Sequence, residues 1–429
     1  MRIILAGTGS NCGKTTCTLA LMGYLMGQGL SIAPYKVGPD YIDPGFHRAV
    51  CGRPSHNLDE FLMDPPAIAY LLGEAGQSLA VIEGVMGFYD GMDAGLGCST
   101  YSLARLTHTP VVLVVDGSGS AASAAAQALG FAAMAPESQV AGVLVNRVYG
   151  PEHYQLIRQA VDRYAHLPCL GYLPQDPALN LDSRHLGLVP AQETPGLAQV
   201  VERAAGLLRL DAQLLLEIAR RAPALSAPPP PLVKRPGYRL GVALDDAFSF
   251  YYQANLDALV RAGMELVFFS PLTDSALPAG LDGLYLGGGF PEVFARRLQD
   301  NRSMRRSVRE ALEDGLPCYA ECGGLIYLSR QVDDWEMAGF LPVRCAMTAK
   351  LQRFGYVRVE DQAGHIFPAH EFHYAMAHPL EPLDTAFAVT RASDPAQRWR
   401  CGYRKKNTVA GFPHLHFLSH PQLIQEVFP

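Results

Sequence analysis

The sequence predicts an α/β protein with two doubly wound domains, and three observations support this prediction. Apolar runs of strand length alternate with helix-like stretches along the first half of the chain. A proline-rich segment interrupts this alternation, which then begins again. The last part of the chain changes to short β-rich runs separated by turn signals, which predicts a β-rich extension of the second domain.

The composition is typical of well-packed globular domains. Of the 429 residues, 49% are hydrophobic and 18% are charged, and the net charge is −6. This negative charge disfavours a nucleic-acid surface, and no apolar run is long enough to cross a membrane. The nine cysteines contain no C-x-x-C pair. We therefore expect a reduced, cytoplasmic protein that binds neither nucleic acid nor membrane; its oligomeric state is unknown from the sequence.

The predicted N-terminal domain, residues 1–221, has the alternation of a parallel sheet covered by helices on both faces. Its predicted strands are residues 3–6, 32–35, 79–82, 111–115, 140–145 and 167–173, and its predicted helices include residues 16–27, 121–135 and 152–164. Most of these strands are nearly continuous apolar runs, which indicates burial on both faces.

Residues 222–237 are predicted to be a linker because they contain four consecutive prolines. Proline has no backbone N–H and favours extended polyproline II, so this segment fits neither a sheet nor a helix interior. The second domain, residues 238–429, follows it, with its β-rich part beginning at about Cys345. Its predicted strands are residues 239–244, 265–269, 283–286 and 317–320, and its predicted helices are residues 254–262 and 304–313.

The first predicted strand leads into GTGSNCGKTT, a glycine-rich loop that ends in Gly13, Lys14, Thr15 and Thr16. A strand, such a loop and a helix in this order are typical of a P-loop, in which backbone N–H groups face nucleotide phosphates. We expect Lys14 to contact the β- and γ-phosphates and the Thr15 hydroxyl to bind Mg²⁺. The loop from Gly7 to Gly13 is one residue longer than the strict motif.

Further polar side chains follow the predicted strands, at the edge where open α/β sheets bind ligands. Glu83 follows the third strand and is a candidate Mg²⁺ ligand beside Thr15. Lys36 follows the second strand, and Asn146 follows the fifth with an amide that could read an adenine edge. Nearby loops add the carboxylates of Asp40, Asp43, Asp59 and Asp90. The last three of these are equally well interpreted as ordinary polar loop residues.

This half of the chain resembles the dethiobiotin-synthetase-like ATPase domain of the cobyrinic acid a,c-diamide synthases. The resemblance is carried by GTGSNCGKTT, KVGPDYIDPGFH, NLDEF, VIEGVMGFYDG and VNRV. The additional loop residue is itself typical of the dethiobiotin synthetase relatives. The resemblance implies ATP phosphates at residues 13–16 and adenine at Asn146. It also implies Mg²⁺ near Thr15, Asp59 and Glu83, and a corrinoid carboxylate near Lys36, Asp40, Asp43 and Asp90.

A second site is predicted at Cys322, in the sequence LPCYAECGGL. The cysteine lies at a strand-to-helix turn followed by two glycines, which is the arrangement of a nucleophile elbow. We expect the helix N-terminus to lower the pKa of the thiol. Gly288 and Gly289 follow an upstream strand and could offer backbone N–H groups as an oxyanion hole. His414 is the preferred base for the thiol, and His416 is the second candidate.

From about Tyr238 to the C-terminus the chain resembles a class I glutamine amidotransferase domain of the cobyrinic and cobyric acid branch. The resemblance places the catalytic histidine at His414. Other class I enzymes have a glutamate two residues later, where this chain has His416, so we expect a Cys–His dyad without a carboxylate partner. The HEFHY segment, residues 370–374, lacks the H-E-x-x-H spacing and is expected to be structural or close to the substrate.

Together the two domains predict a glutamine-hydrolysing ligase whose substrates are ATP, glutamine and a corrinoid. Cys322 would release ammonia from glutamine, and the ATPase domain would convert a carboxylate to an acyl phosphate that ammonia displaces. The resemblance implies cobyrinic acid amidated at side chains a and c. One alternative is the same chemistry on hydrogenobyrinate or nickel sirohydrochlorin. Another is a ParA-like nucleotide-switch binding protein with a decayed amidotransferase module.

A substrate with many carboxylates requires a local concentration of positive charge, because the chain as a whole is negative. We therefore expect Lys36 and at least one arginine to line the substrate pocket. The positively charged candidates near this site are Arg48, Arg53 and the pair Arg184 and His185.

Overall fold

The computed structural model describes residues 1–181, 183–184 and 187–428. The chain divides into two compact units, Met1–Pro229 and Pro230–Pro429. Each unit has a sheet with parallel strands, which confirms the predicted α/β fold class. None of the helices in the described residues has both the length and the apolar character needed to cross a membrane.

The first unit contains every strand and helix predicted for that part of the chain, together with short strands that the sequence did not reveal. Its strands are β1 (Arg2–Gly7), β2 (Ile32–Val37), β3 (His56–Leu58), β4 (Leu79–Glu83), β5 (Val111–Asp116), β6 (Val140–Val148), β7 (Cys169–Pro174), β8 (Ser183–Arg184), β9 (Gly187–Leu188) and β10 (Arg209–Leu210). Its α-helices are α1 (Lys14–Gly27), α2 (Asp43–Cys51), α3 (Pro65–Gly73), α4 (Thr100–Thr107), α5 (Ser123–Ala133), α6 (Pro151–Ala160), α7 (Leu197–Leu207) and α8 (Ala212–Ala219).

Eight of these strands form one sheet in the order β10-β7-β6-β5-β1-β4-β2-β3. Within it β10 runs antiparallel to β7, and the other neighbours are parallel. The register pairs both Leu5 and Lys36 with Glu83. The carboxyl ends of β1, β2 and β4 therefore lie together at one edge of the sheet.

Helix α1 positions the glycine-rich loop at this edge. It begins at Lys14, two residues before the predicted start, directly after Gly13, which has a φ of 87°. Its Cys17 and Leu21 are fully buried in the same apolar cluster as Ile3 of β1. Because both ends of the loop are anchored in this core, the loop has little freedom to move away from the sheet.

The second unit has fourteen strands and five α-helices among its described residues. Its strands are β11 (Arg239–Ala243), β12 (Glu265–Phe269), β13 (Gly283–Leu286), β14 (Cys318–Glu321), β15 (Gln331–Val332), β16 (Trp335–Glu336), β17 (Val343–Met347), β18 (Arg353–Glu360), β19 (Ile366–His373), β20 (Ala375–Pro379), β21 (Thr385–Arg391), β22 (Arg398–Lys405), β23 (Thr408–Gly411) and β24 (His414–Leu415). Its α-helices are α9 (Gln253–Arg261), α10 (Ala295–Asp300), α11 (Arg302–Glu313), α12 (Gly323–Leu328) and α13 (Gln422–Val427).

Ten of these strands form one sheet in the order β12-β11-β13-β14-β23-β22-β21-β18-β19-β24. The first five are parallel, and the later pairings are antiparallel. A second sheet contains β16-β15-β17-β20. The antiparallel part is the predicted β-rich extension, which is thus confirmed. After it the chain enters β23, which pairs in parallel with β14, and then β24, which pairs with β19 at the last position of this sheet.

Candidate functional site

The loop between β1 and α1 packs so closely that it requires glycine. Gly13 has a φ of 87°, and a Cβ atom there would collide with the side-chain amide of Asn146. That amide donates from Nδ2 to the Cys12 carbonyl oxygen at 2.9 Å. The Lys14 ammonium donates to the Gly9 carbonyl oxygen at 3.2 Å, and burial lowers the pKa of Lys14. The structure therefore brings Gly13, Lys14 and Asn146 together at the loop.

Glu83, at the end of β4, is the centre of this site and is fully buried. Its Oε1 accepts a hydrogen bond from the Thr15 hydroxyl at 2.7 Å and lies 3.1 Å from the Lys36 ammonium. Its Oε2 lies 2.8 Å from Nε2 of His47, and Nδ1 of that histidine is 3.0 Å from the Ser55 hydroxyl. A buried carboxylate is tolerated when it is paired and hydrogen-bonded in this way.

Lys36, at the end of β2, lies between two buried carboxylates. Its Nζ is 2.7 Å from Oδ2 of Asp43 and 3.1 Å from Oε1 of Glu83, and it donates to the Gly84 carbonyl oxygen at 2.8 Å. Burial alone would raise the pKa of Glu83, but Lys36 and His47 hold that pKa well below its usual range. Burial alone would lower the pKa of Lys36, and the two carboxylates raise it instead.

Asp43, the first residue of α2, shows the opposite behaviour. Burial, together with the carboxylates of Asp40 and Glu83, raises the pKa of Asp43 well above its ordinary value, although Lys36 lies beside it. The acidic groups thus compete for one ammonium group. Asp43 therefore takes up a proton at a higher pH than Glu83 does.

Sequence reasoning missed His47 and Ser55. His47 lies four residues after Asp43 on α2, a spacing that places two side chains on the same face of a helix. This spacing is the signal that could have identified His47. Ser55 precedes β3 and belongs to no comparable pattern, so its contact with His47 arises from the tertiary fold.

Three of the predicted aspartates bind backbone N–H groups of their own loops. Oδ1 of Asp40 accepts from the N–H groups two and three residues later, at 2.7 and 3.0 Å. Oδ1 of Asp59 accepts from the same relative positions at 2.8 and 3.0 Å. Oδ2 of Asp90 accepts from the N–H three residues earlier at 2.9 Å. These bonds stabilise turns, as aspartate side chains commonly do.

The predicted cations are placed differently from one another. Lys36 lies within the Glu83 cluster, whereas Arg53 donates from a terminal nitrogen to the Ser78 hydroxyl at 3.2 Å. Arg48 is exposed on α2. His185 and the side chain of Arg184 lie outside the described residues.

In the second unit, Cys322 lies at the turn between β14 and α12. Its backbone has a φ of 48°, which is uncommon for a residue with a side chain, and its N–H donates to the Gly411 carbonyl oxygen at 2.7 Å. A Cβ atom on Gly324 would collide with the backbone of Leu286 in β13. The geometry is thus that of the predicted nucleophile elbow, with glycine required where the helix passes close to the strand.

Gly288 and Gly289 follow β13 and lie beside this elbow. A Cβ atom on Gly323, the residue after Cys322, would lie 3.0 Å from the Gly289 nitrogen. The Gly288 N–H donates instead to the Phe250 carbonyl oxygen at 3.2 Å. Of the two glycines predicted as oxyanion donors, Gly289 is therefore the better placed.

His414, in β24, packs against the same glycine turn. A Cβ atom on Gly288 would lie 2.6 Å from Cε1 and 3.3 Å from Nε2 of His414, so this edge of the imidazole faces the turn. Nδ1 lies 3.6 Å from Oε2 of Glu321, a carboxylate that sequence reasoning missed. His416 is fully buried and packs on Tyr252, with ring centroids 5.2 Å apart. These positions favour His414 over His416 as the base.

The Cys322 thiol lies in a buried, acidic environment. Burial raises the pKa of the thiol far above its ordinary value. The Glu292 carboxylate raises it further, and the carboxylates of Glu321 and Glu371 have weaker effects in the same direction. The Gly323 N–H, at the start of α12, lowers this pKa but is outweighed. The prediction that the helix N-terminus lowers the thiol pKa below its ordinary value is therefore wrong.

The HEFHY segment forms the end of β19 and continues beyond it, next to the strand that carries His414. His370 lies opposite His414 in the β19–β24 ladder, and burial lowers the pKa of His370 to about 3. The His373 ring stacks on Phe412 with centroids 3.8 Å apart, and its Nδ1 lies 2.8 Å from the Ala375 carbonyl oxygen. This segment therefore supports the loop that leads into His414.

The raised thiol pKa predicts slow alkylation of Cys322 at neutral pH. In the absence of glutamine, the rate with iodoacetamide should rise about tenfold per pH unit from about pH 7 to about pH 9, because the thiolate fraction is still increasing throughout this range. Peptide mass mapping measures the rate at Cys322 separately from the other cysteines. A plateau below about pH 8 would contradict the prediction, since it would indicate a lowered thiol pKa.

Two protein families match the chain, one in each unit. Residues 3–189 match the CobQ/CobB/MinD/ParA nucleotide binding domain, and residues 239–422 match the CobB/CobQ-like glutamine amidotransferase domain. The first match contains the glycine-rich loop and Glu83, and the second contains Cys322 and His414.

Similar proteins with the name cobyrinate a,c-diamide synthase cover nearly the whole chain. The protein from Listeria innocua is 42% identical over 446 aligned positions, covering 100% of this chain and 98% of that protein. The protein from Salmonella typhimurium is 41% identical and covers 98% of this chain and 96% of its own length. That from Caldanaerobacter subterraneus is 39% identical with the same coverage of both chains. The chain therefore belongs to the cobyrinate a,c-diamide synthase family, as its motifs indicated, and is an enzyme of the ligase class.

Proposed function

We propose that this enzyme amidates the a and c side-chain carboxylates of cobyrinic acid, using ATP and the amide nitrogen of glutamine. The observation that carries the proposal is the presence of two assembled sites in one chain. One is the glycine-rich loop, with Thr15 bonded to Glu83. The other is the Cys322 elbow, with His414 beside the glycine turn. The names of the full-length relatives support the choice of corrinoid.

In the glutaminase half, Cys322 attacks the side-chain amide carbon of glutamine. His414 accepts the thiol proton as the sulfur–carbon bond forms, and it returns the proton to the amide nitrogen as the carbon–nitrogen bond breaks. The Gly289 N–H would stabilise the negative oxygen of the tetrahedral intermediate. Ammonia leaves, and water then hydrolyses the thioester to glutamate.

The raised pKa of the thiol makes the base essential to this step. A buried cysteine among carboxylates is mostly protonated at neutral pH, so its nucleophilic form arises only when the proton is removed during the attack. The acidic surroundings also protect the thiol from reaction when glutamine is absent. His414, rather than the helix N-terminus, therefore activates the nucleophile.

In the ligase half, a substrate carboxylate attacks the γ-phosphate of ATP, giving an acyl phosphate and ADP. Ammonia then attacks the acyl carbon, and phosphate leaves as the carboxamide forms. Lys14 lies at the end of the loop, and its ammonium group donates a hydrogen bond to a backbone carbonyl oxygen there. It can exchange this partner for a phosphate oxygen when ATP binds. Its positive charge would stabilise the charge that develops as the γ-phosphoryl group is transferred.

The residues at the loop fit Mg²⁺. The Thr15 hydroxyl and the Glu83 carboxylate are 2.7 Å apart, and oxygen atoms of this kind are the ligands that Mg²⁺ prefers. Thr15 would hold the ion, and Glu83 would orient the Thr15 hydroxyl. Bound Mg²⁺ would neutralise part of the negative charge on the β- and γ-phosphate oxygens. Asp59 remains a predicted ligand, and Asn146 remains a predicted adenine contact.

The Glu83 cluster is also the proposed position of the corrinoid carboxylate. Lys36 is the buried cation of this cluster, and Asp43 beside it has a raised pKa. Protonation of Asp43 would free part of the Lys36 charge for an incoming carboxylate. Hydrogenobyrinate and nickel sirohydrochlorin carry the same functional groups, so they remain alternative substrates. A nucleotide-switch protein is disfavoured, because such a protein has no use for the Cys322 elbow.

Replacing the nucleophile should separate the two halves of the reaction. We expect Cys322→Ser to reduce glutamine-dependent amidation at least about a hundredfold, while amidation from a high concentration of ammonium chloride is retained. Half-buried Cys169→Ser is the matched control and should keep both activities. Loss of both activities in a folded Cys322→Ser protein would contradict the assignment of Cys322 to ammonia release alone.

Replacing the lysine of the glycine-rich loop should have the complementary effect. We expect Lys14→Ala to reduce amidation about a hundredfold or more with either nitrogen source, because the phosphoryl transfer loses its cationic partner. Exposed Lys350→Ala serves as the control for loss of a lysine. Normal ATP hydrolysis by Lys14→Ala in the presence of substrate, measured as phosphate release, would contradict the phosphate-loop assignment.

A further inference from the structure

We propose that Glu321 is the carboxylate that orients His414 and stabilises its protonated form during glutamine hydrolysis. This inference rests on the proposed function. The sequence led us to expect a Cys–His dyad, because position 416 holds a histidine where other class I enzymes have a glutamate. In the structure, however, Oε2 of Glu321 lies 3.6 Å from Nδ1 of His414.

The position of the Glu321 carboxylate is fixed by hydrogen bonds from two directions. Oε2 accepts a hydrogen bond from the Tyr285 hydroxyl of β13 at 2.9 Å. Oε1 accepts from the Leu415 N–H at 3.0 Å, which joins the carboxylate to the residue directly after His414. Glu321 is itself 1% exposed. The carboxylate therefore both holds the strand that carries the imidazole and lies beside its ring.

The orientation of the ring matches this role. The Cε1 and Nε2 edge of His414 faces the glycine turn, which adjoins the Cys322 elbow, while Nδ1 is the nitrogen nearest Glu321. A base that exchanges protons with a thiol through Nε2 needs Nδ1 held by a second group, because that group determines which tautomer is present. Glu321 is placed to hold Nδ1 in this way.

The charge of Glu321 also matters to the reaction. Tyr285 and Leu415 are neutral donors, so their hydrogen bonds bring no positive charge to the buried carboxylate. When the Cys322 proton moves to His414, an imidazolium forms 3.6 Å from this carboxylate, and their attraction is strong where water is excluded. The stabilised imidazolium then donates its proton to the departing amide nitrogen, which leaves as ammonia.

Three further titratable groups near His414 have different roles. His370 lies opposite it on β19, and its pKa of about 3 keeps it neutral at physiological pH. Cys322 is the proton donor of the reaction. Glu371, the neighbour of His370 on β19, acts electrostatically on the thiol, and a 3.7 Å contact joins its carboxylate to His373.

The test is the Glu321→Gln variant, assayed for glutamine hydrolysis across pH. Glutamine has nearly the same shape but no charge. Its carbonyl oxygen can accept the Leu415 N–H bond, and its NH₂ group can donate to the Tyr285 hydroxyl oxygen in place of the bond that Oε2 accepts. We expect kcat to fall about a hundredfold with little change in KM for glutamine. We also expect the acid limb of the kcat/KM profile to move to lower pH, because the protonated imidazole loses its anionic partner. Ammonia-dependent amidation should be unchanged.

Two further variants keep the proposal falsifiable. Glu321→Asp keeps the charge, so its acid limb should stay close to that of the unmodified enzyme, and an acid limb that moves as far as in Glu321→Gln would contradict the role of the charge. Tyr285→Phe removes a hydrogen bond but not the charge, and it should likewise leave the acid limb in place.

A lower kcat with an unmoved acid limb in Glu321→Gln would overturn the proposal, because it would show a role in packing alone. Undiminished kcat would overturn it as well. Failure of the proposed function would look different, since unmodified enzyme would then show no glutamine hydrolysis that depends on Cys322.

Discussion

Both sites depend on one constraint, which is that parallel strands bring their carboxyl ends to the same edge of a sheet. In the first unit, the register pairs both Leu5 and Lys36 with Glu83, so the loop after β1 meets the ends of β2 and β4. In the second unit, β13 pairs with β14 and places Leu286 beside Ala320. The glycine turn and the Cys322 elbow therefore begin side by side. Chemical groups far apart in the chain meet because the strands that precede them are neighbours.

The two sites use buried charge in opposite ways. The Glu83 cluster pairs its carboxylate fully, with a hydroxyl, an ammonium group and an imidazole within hydrogen-bond distance, so the pKa of Glu83 stays low. At the second site, burial and the nearby carboxylates disfavour the thiolate form of Cys322, so the pKa of the thiol rises. The first arrangement provides a fixed charge pattern for binding anions. The second keeps a nucleophile inactive until its proton is removed.

The sequence predicted what depends on local order and missed what depends on the tertiary fold. Lys14 and Cys322 were predictable because strand, glycine turn and helix are contiguous in the chain. Glu321 was missed because its partner His414 lies far away in the sequence. Ser55 was missed because its contact with His47, eight residues earlier, follows neither a helix nor a strand spacing. Asp40 and Asp59 illustrate a different limit, because a loop aspartate that binds its own backbone has the same sequence signature as a ligand. The predicted direction of the shift in the Cys322 thiol pKa was wrong. The prediction considered only the adjacent helix N-terminus, whereas the burial that raises this pKa depends on the whole domain.

The central claim is that the amide nitrogen of glutamine is transferred to carboxylates of a corrinoid at the expense of ATP. Mass spectrometry of the corrinoid product, after incubation with cobyrinic acid, MgATP and glutamine labelled with ¹⁵N in the side-chain amide, tests this most directly. The account predicts a diamide with label in both new amides, and no amidation when ATP is omitted. Hydrogenobyrinate and nickel sirohydrochlorin in parallel reactions identify the preferred ring. Glutamine hydrolysis without label in any of the three tetrapyrroles would contradict the account.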